Sequence, residues 1–320
     1  MLGKLMWAAA LCTLSVGAAI AQPFPNRSVT IVVPYSAGGA SDGLARQIAE
    51  KMRVQLHQPV IVENRPGAGT TIASSYVARA KPDGYTVLFA ASSFGVAPAL
   101  YKNAGYDPIK DFHPLSLLAS VTHVLAVNPA VPVQSVSEFV EWVKHHPGNV
   151  NYASVGVGTT THLEAELFKK MAGINMVQVP YKGSQAALPD LVAGRVQAMF
   201  DAYATAAPLA KEGRIRILGV TTERPSMAAP DIPTIAAQGV PGFDVMTWMG
   251  LLVPAGTPQD AVQTLSGAVD AALADPAVRT SLEGLGFEVI GYGPQRFADY
   301  LAQDVNKWSA FIREEQIVVE

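Results

Sequence analysis

Apolar positions along the chain fall into short continuous runs that alternate with stripes at helical spacing. Val29–Val33 is five apolar or β-branched residues in succession, a buried strand too short to be a helix by itself. Pro34 cannot donate to a ladder and closes it. Gly38 and Gly39 let the backbone turn, and Ser41 or Asp42 is a natural N-cap for the run Leu44, Ile48, Met52. The same alternation continues. Strands are predicted over 59–63, 85–91, 121–128, 151–155, 176–181, 196–200, 215–221 and 243–253, with Ser92, Ser93, Phe94 and Gly95 ending the second of these. Helices are predicted from Thr71 through Ala80 and over 136–145, 163–172, 186–193, Gln259–Ala274 and 294–312. Residues 106–112 have turn chemistry and cover a surface. The stripe Phe297, Leu301, Val305, Trp308, Ile312 reads as core packing.

Repeated βα units of this size mean an α/β fold with parallel sheets covered by helices. Two blocks of units, each opening with a glycine turn (36–42 and 156–162), predict two lobes with facing strand ends. The run 243–253 is the crossing back to the first lobe.

Length and composition sharpen this picture. A chain of 320 residues has room for two domains, and a net charge of -3 leaves no basic footprint for nucleic acid. Residues 1–21 are of another kind: Lys4, an apolar stretch over 5–20, and the small-x-small site Ala19-Ile20-Ala21 make a secretory signal peptide cleaved after Ala21. The alternative is a retained membrane anchor. The single cysteine, Cys12, lies in this segment, so disulfides and thiol nucleophiles drop out of the mature chain. His57, His113, His123, His145, His146 and His162 show no metal-ligand spacing, so neither metal nor cofactor is predicted. Exported, soluble and free of cysteine, the mature chain belongs in a bacterial periplasm.

Candidate chemistry sits in the two turns. Residues 36–42 offer backbone N–H groups at a helix start and the hydroxyls of Ser36 and Ser41, suited to an anion. The plainer reading is an ordinary βα turn. Gly39-Ala40-Ser41-Asp42-Gly43 also satisfies the G-x-S-x-G nucleophile elbow, which would make Ser41 the nucleophile of an exported hydrolase. It follows the first strand, however, and no histidine follows His162 to complete the order Ser, acid, His. Thr159, Thr160, Thr161 and His162 begin a helix without the Lys of a P-loop; they suit one carboxylate, or simply cap the helix. Asp201, at a strand end, holds a ligand ammonium or caps the next helix. Lys182 pairs with a carboxylate or is solvated.

Pro34-Tyr35-Ser36-Ala37-Gly38-Gly39-Ala40-Ser41-Asp42 is similar to the P-F/Y-x-x-G-G-x-x-D signature of the tripartite tricarboxylate transporter receptors. These are the Bug family of periplasmic solute-binding proteins. The likeness continues, in family order, through Glu63-Asn64-Arg65-Pro66-Gly67-Ala68-Gly69, Lys81-Pro82-Asp83-Gly84-Tyr85-Thr86 and Tyr106-Asp107-Pro108. It is also seen in Pro180-Tyr181-Lys182-Gly183, Asp231-Ile232-Pro233-Thr234 and Pro254-Ala255-Gly256-Thr257-Pro258. The resemblance implies a type II-like periplasmic binding fold, two α/β domains joined by two hinge strands. Lobe 1 would be 22–123 with 246–320, and lobe 2 would be 124–245. It implies a monomeric, non-enzymatic receptor that closes like a flytrap on a small carboxylate or amino acid. Tyr35, Ser36, Ala37, Gly39, Ala40, Ser41 and Asp42 would hold the ligand from one side, and Thr159, Thr160, Thr161 and His162 from the other. Ser92 and Phe94 would form a third cleft loop, and Asp201 matches the position that holds an ammonium group. A membrane permease pair or a sensor kinase would be the partner. The chain departs from the pattern in two places. Thr70 stands where the family usually has a second glycine after Pro-Gly-Ala-Gly, and Ala202 follows Phe200-Asp201 where the family often has Asn.

Overall fold

The structure is a computed structural model that describes residues 24–317; the leader read in 1–21 lies outside them. The chain runs β1 (Val29–Val33), α1 (Ala40–Leu56), β2 (Val60–Asn64), α2 (Thr71–Ala78), β3 (Thr86–Ala91), α3 (Ser92–Leu100) and β4 (Phe112–Val121). It continues through β5 (His123–Val127), α4 (Val136–Lys144), β6 (Asn151–Ser154), α5 (Thr160–Ala172), β7 (Val177–Pro180), α6 (Ser184–Val192), β8 (Ala198–Ala202), α7 (Tyr203–Lys211) and β9 (Arg216–Val220). It returns along β10 (Thr247–Pro254), α8 (Gln259–Ala274), α9 (Pro276–Gly284), β11 (Phe287–Tyr292) and α10 (Pro294–Glu314).

Two sheets result: six strands in the order β11-β4-β10-β3-β1-β2, and five in the order β7-β6-β8-β5-β9. Both are mixed, not parallel as the repeated units predict. β1 pairs in parallel with β2 and β3, and β6 with β7 and β8, whereas β10 opposes β3 and β4, β11 opposes β4, and β5 opposes β8 and β9. For β5 and β10 the reason is the crossover. A chain that arrives through the hinge starts its strand at the hinge-side edge, and so runs against the strands that end there.

Only Thr122 separates β4 from β5, so the single strand predicted over 121–128 is the junction of two strands in different sheets. The stretch 92–95 is not a loop but the first turn of α3, and α7, α9 and β11 are further elements that the hydrophobic pattern does not announce.

Each sheet is covered on both faces. In the six-stranded sheet Val29, Ile31 and Val33 pack under α1 and α8 with Leu44, Ile48, Leu265 and Val269. Val32, Leu88 and Leu117 face Ala73, Val77, Phe94, Trp248, Phe297 and Leu301 on the other side. In the five-stranded sheet Leu125 and Val127 pack with Phe139 and Phe168, and Val124 and Met199 with Leu188, Leu191 and Ala206. The α10 stripe is core, as its spacing predicts, but it serves two cores. Phe297 and Leu301 lie in the first, while Trp308, Phe311 and Ile312 join Phe139 and Phe168 in the second.

Candidate functional site

The strand registers place the two glycine turns. Thr247 opposes Val121 and Met249 opposes Ala91, so β3, and β1 parallel to it, end on the hinge-side edge of their sheet. His123 opposes Ala202, so β8, and β6 parallel to it, end on the hinge-side edge of the other. The turns after β1 and β6 therefore leave the two edges that the hinge joins, the location where α/β sheets bind ligands. The hinge is held by Thr122 Oγ1, 2.6 Å from Ser226 Oγ, and by bonds from Val245 N to Thr221 O and Tyr203 N to Thr122 O.

The first turn is built around Asp42. Gly38 adopts φ +87°, a left-handed conformation that costs a side chain about 1–2 kcal/mol. Gly39, not Ser41 or Asp42, is the N-cap, and it provides no side-chain cap. Asp42 is buried within the first helical turn and accepts from Gly38 N, Arg46 Nε and Asn64 Nδ2, each at 2.9 Å. The same Asn64 amide donates to Tyr35 O at 3.0 Å. The Arg46 guanidinium is the main reason that the Asp42 carboxyl is held down at about 2; Gly38 and Asn64 add to it and burial opposes it. With Asp42 so engaged, residues 36–40 lie exposed and the hydroxyls of Ser36 and Ser41 have no partner among the described residues. Tyr35 Oη is 2.9 Å from Ser93 Oγ, which ties this turn to the start of α3.

The second turn repeats the device with other residues. Gly158 has φ +76° and Thr159 is an N-cap without a side-chain cap. Gly158 N donates to His162 Nδ1 at 3.0 Å, which fixes the neutral tautomer protonated on Nε2. Burial pushes the imidazole below its ordinary value, with Glu166 acting against it and Lys169 with it. Thr159 Oγ1 donates to Gly156 O at 2.7 Å, and Thr161 Oγ1 accepts from Val155 N at 3.0 Å. Thr160 keeps its hydroxyl without a partner among the described residues. Both helices thus present their first amides uncapped, a ready-made seat for a carboxylate.

The other sequence candidates lie close by in varied roles. Ser92 is buried and its Oγ accepts from Trp248 N at 2.9 Å, binding α3 to the start of β10. Phe94 turns its ring into the core, stacked on Tyr106 at 5.2 Å and edge-on to Phe112 at 5.0 Å. Asp201 is buried and accepts from Ser184 Oγ and Thr205 Oγ1, each at 2.6 Å; α7 has Ala202 as its N-cap and takes no side-chain cap. Lys182 is exposed and in no ion pair among the described residues. No bond joins Ser41 to a histidine, so the elbow lacks a base among the described residues. His123, singled out in the sequence only as one of six histidines, faces Glu164 at 2.9 Å beneath the second turn. Its position at the head of an apolar strand was the only signal for it.

Among the described residues no group of three His, Cys, Asp or Glu side chains could hold a metal ion, and no helix is long and apolar enough to cross a membrane. A concavity of about 700 Å³ between α3, the 106–110 turn and the second half of α10 lies away from both turns. Its lining repeats none of their chemistry.

Two helix-covered sheets, joined by a double crossover and bearing matched uncapped helix starts on the joined edges, define a two-lobed solute-binding protein. The model of the tripartite tricarboxylate transporter family receptor matches residues 44–317, and the chain belongs to that family. The family is one of receptors, not enzymes. The chain is 37% identical over 308 residues to the UPF0065 protein in the tcbD-tcbE intergenic region of Pseudomonas sp. (strain P51), covering 96% of this chain and 92% of that one. Among solved structures it resembles the periplasmic binding protein BugD, with TM-score 0.74, 35% identity, and coverage of 92% of this chain and 99% of BugD. It also resembles Rpa4515 of R. palustris, solved with adipate, with TM-score 0.77, 36% identity, and coverage of 92% and 100%.

Proposed function

We propose that this protein captures a small carboxylate between two lobes, one built on the six-stranded sheet and one on the five-stranded sheet that the chain enters at His123, in the periplasm after removal of its leader behind Ala21. One ligand carboxylate takes amide and hydroxyl donors from residues 35–41 on one side and 159–161 on the other. Asp42 and His162 hold those turns in shape, and Ser92 and Asp201 brace their surroundings. The monomeric receptor delivers its ligand to a permease pair or a sensor kinase.

The observation that carries this reading is the matched pair of uncapped helix starts on the two hinge-side edges. Hydrogen bonds to a charged group contribute about 1.5–3 kcal/mol each. A dissociation constant of about 1 μM requires about -8 kcal/mol after the costs of association are met. One turn with two or three donors falls short of that, whereas the donors of two turns, about 6–18 kcal/mol together, bring it within reach. Only a closed state engages both, which supplies the differential affinity that closure needs. The adipate in Rpa4515 and the chain's resemblance to it support a carboxylate of this size.

Titration calorimetry with succinate, adipate, butyrate and hexanoate tests the reading. At least one acid should bind. Thr160→Glu should abolish binding while leaving the fold intact, because a negative charge in the first turn suits the helix dipole but repels a carboxylate. A wild-type protein that binds none of the acids, or a folded Thr160→Glu variant that binds as well as wild type, overturns it.

A further inference from the structure

His123 opens β5 one residue after the hinge and opposes Ala202, which puts it on the same edge as Asp201 and the second turn. Its Nδ1 is 2.9 Å from Oε2 of Glu164, a residue of α5 with no exposed surface. The other carboxylate oxygen, Oε1, is buried without any partner. The His123 side chain keeps 9% of its surface exposed, and its Nε2 bonds to none of the described residues. A buried carboxylate with an idle oxygen is expensive unless a charge holds it in place. Glu164 therefore makes sense as the counter-charge of a ring that is itself turned to another task.

The groups acting on that ring are Glu164 from α5 and Asp201 from β8, both acidic. Burial pulls the imidazole down, and the two carboxylates outweigh it, so the ring is held above its ordinary value. The two oxygens of Asp201 already accept from Ser184 and Thr205. Neither glycine turn, 36–42 or 156–162, contains a Lys or Arg. The turns satisfy one carboxylate with neutral donors; of the cations that follow strand ends on this edge, Lys182 after β7 and Arg224 after β9 are exposed, whereas His123 is buried and offers a second carboxylate a partner out of water.

We propose that His123 reads the second carboxylate of the ligand, its Nδ1–H fixed by Glu164 and its Nε2–H offered to the cleft. Glu164 is the positioning residue: it sets the ring's orientation and keeps it charged. The inference rests on the receptor reading above and deepens it, from carboxylates in general to dicarboxylates in particular.

The experiment compares acids that differ only in the second carboxylate, adipate with hexanoate and succinate with butyrate, by titration calorimetry. Wild type should bind the dicarboxylate of a pair at least tenfold tighter. His123→Gln should weaken the dicarboxylate about tenfold, about 1.4 kcal/mol, and change the monocarboxylate less than twofold. Glu164→Gln should move the fall of dicarboxylate affinity with rising pH to lower pH and leave the monocarboxylate profile in place, a split that loss of packing alone would not produce. Nitrogen-15 NMR of the histidines in the wild-type chain decides the matter where a variant does not fold: the His123 Nε2 resonance should move with adipate or succinate and stay with hexanoate or butyrate. Equal losses for both acids of a pair, or an imidazole unmoved by a bound dicarboxylate, overturn the assignment and leave the receptor reading standing. No binding of any acid to wild type overturns both.

Discussion

Gly158 N–H donates to His162 Nδ1 at 3.0 Å, and this bond makes the second turn sensitive to acid while the first is not. In the first turn the same amide position, Gly38 N, is held by the Asp42 carboxylate, which stays ionised down to about 2. A protonated His162 has no lone pair on Nδ1 and cannot accept. Because burial lowers the His162 value in the folded chain, its contribution is fully present above the ordinary histidine value of about 6.5. It falls below that pH as the unfolded chain takes up its proton first, and the loss is complete once the pH has dropped beneath the folded value. His162→Asn keeps an acceptor and removes the titration. Thermal melts of the two proteins should converge or reverse by about 1 kcal/mol between pH 7.5 and pH 5, with the variant gaining as pH falls.

Asp304 has the opposite sign. It is buried and accepts from Trp248 Nε1 at 2.9 Å, and desolvation raises its carboxyl to about 6 against the pull of Trp248 and Lys307. The folded chain then binds a proton that the unfolded chain has released, so stability falls as pH rises from about 4 through 6. Asp304→Asn keeps the acceptor for the indole and removes the charge. It should stabilise the protein by about 3 kcal/mol at pH 7.5 and by nearly nothing at pH 4, measured by urea unfolding at both pH values.

Thr70 sits at φ +80°, ψ -7°, where a β-branched residue is strained, and its Oγ1 is buried without a partner. Left-handed backbone costs a side chain about 1–2 kcal/mol, and glycine gives back about half of that in unfolded-state entropy. Thr70→Gly should raise stability by about 0.5–1 kcal/mol in a urea titration, and Thr70→Ala by less. Glycine is the conformationally natural residue at this place.

Gly250 lies where α10 meets the first sheet. A Cβ there would stand 2.6 Å from the Phe297 ring and 2.9 Å from the Ser116 carbonyl oxygen of β4, and the latter cannot swing away. Gly250→Ala should cost about 2–3 kcal/mol through overpacking. The loss should appear as a lower midpoint in urea with altered near-ultraviolet signal from Trp248.

What the sequence made legible follows periodicity and turn chemistry. β1, its glycine turn and α1 were readable because a continuous apolar run, a proline stop and a helical stripe follow one another without interruption. β4 was not, because Pro114, Ser116 and Ser120 break the apolar pattern of Phe112–Val121; both serines are buried. α3, with Gly95 and Pro98 inside it, and α7, with Pro208, carry residues that argue against a helix. Mixed strand direction was illegible for a different reason: it arises from where the chain crosses between sheets, and no local residue records that. Within the site, the glycine turns could be read, but the partners of Asp42 and His123 could not. Asn64 and Glu164 reach them from 22 and 41 residues away.

The last helix carries a mechanical implication. One end of α10 is embedded with Phe297 and Leu301 in one core, and the other with Trp308 and Phe311 in the second, some seven to fourteen residues further along. A clamp whose jaws are also riveted to a common rod can swing only about a line near that rod. Any opening and shutting must therefore pivot close to Asp304 and Trp248, and a loosened rivet at Trp308 would be felt as slackness in the jaws before it was felt as unfolding.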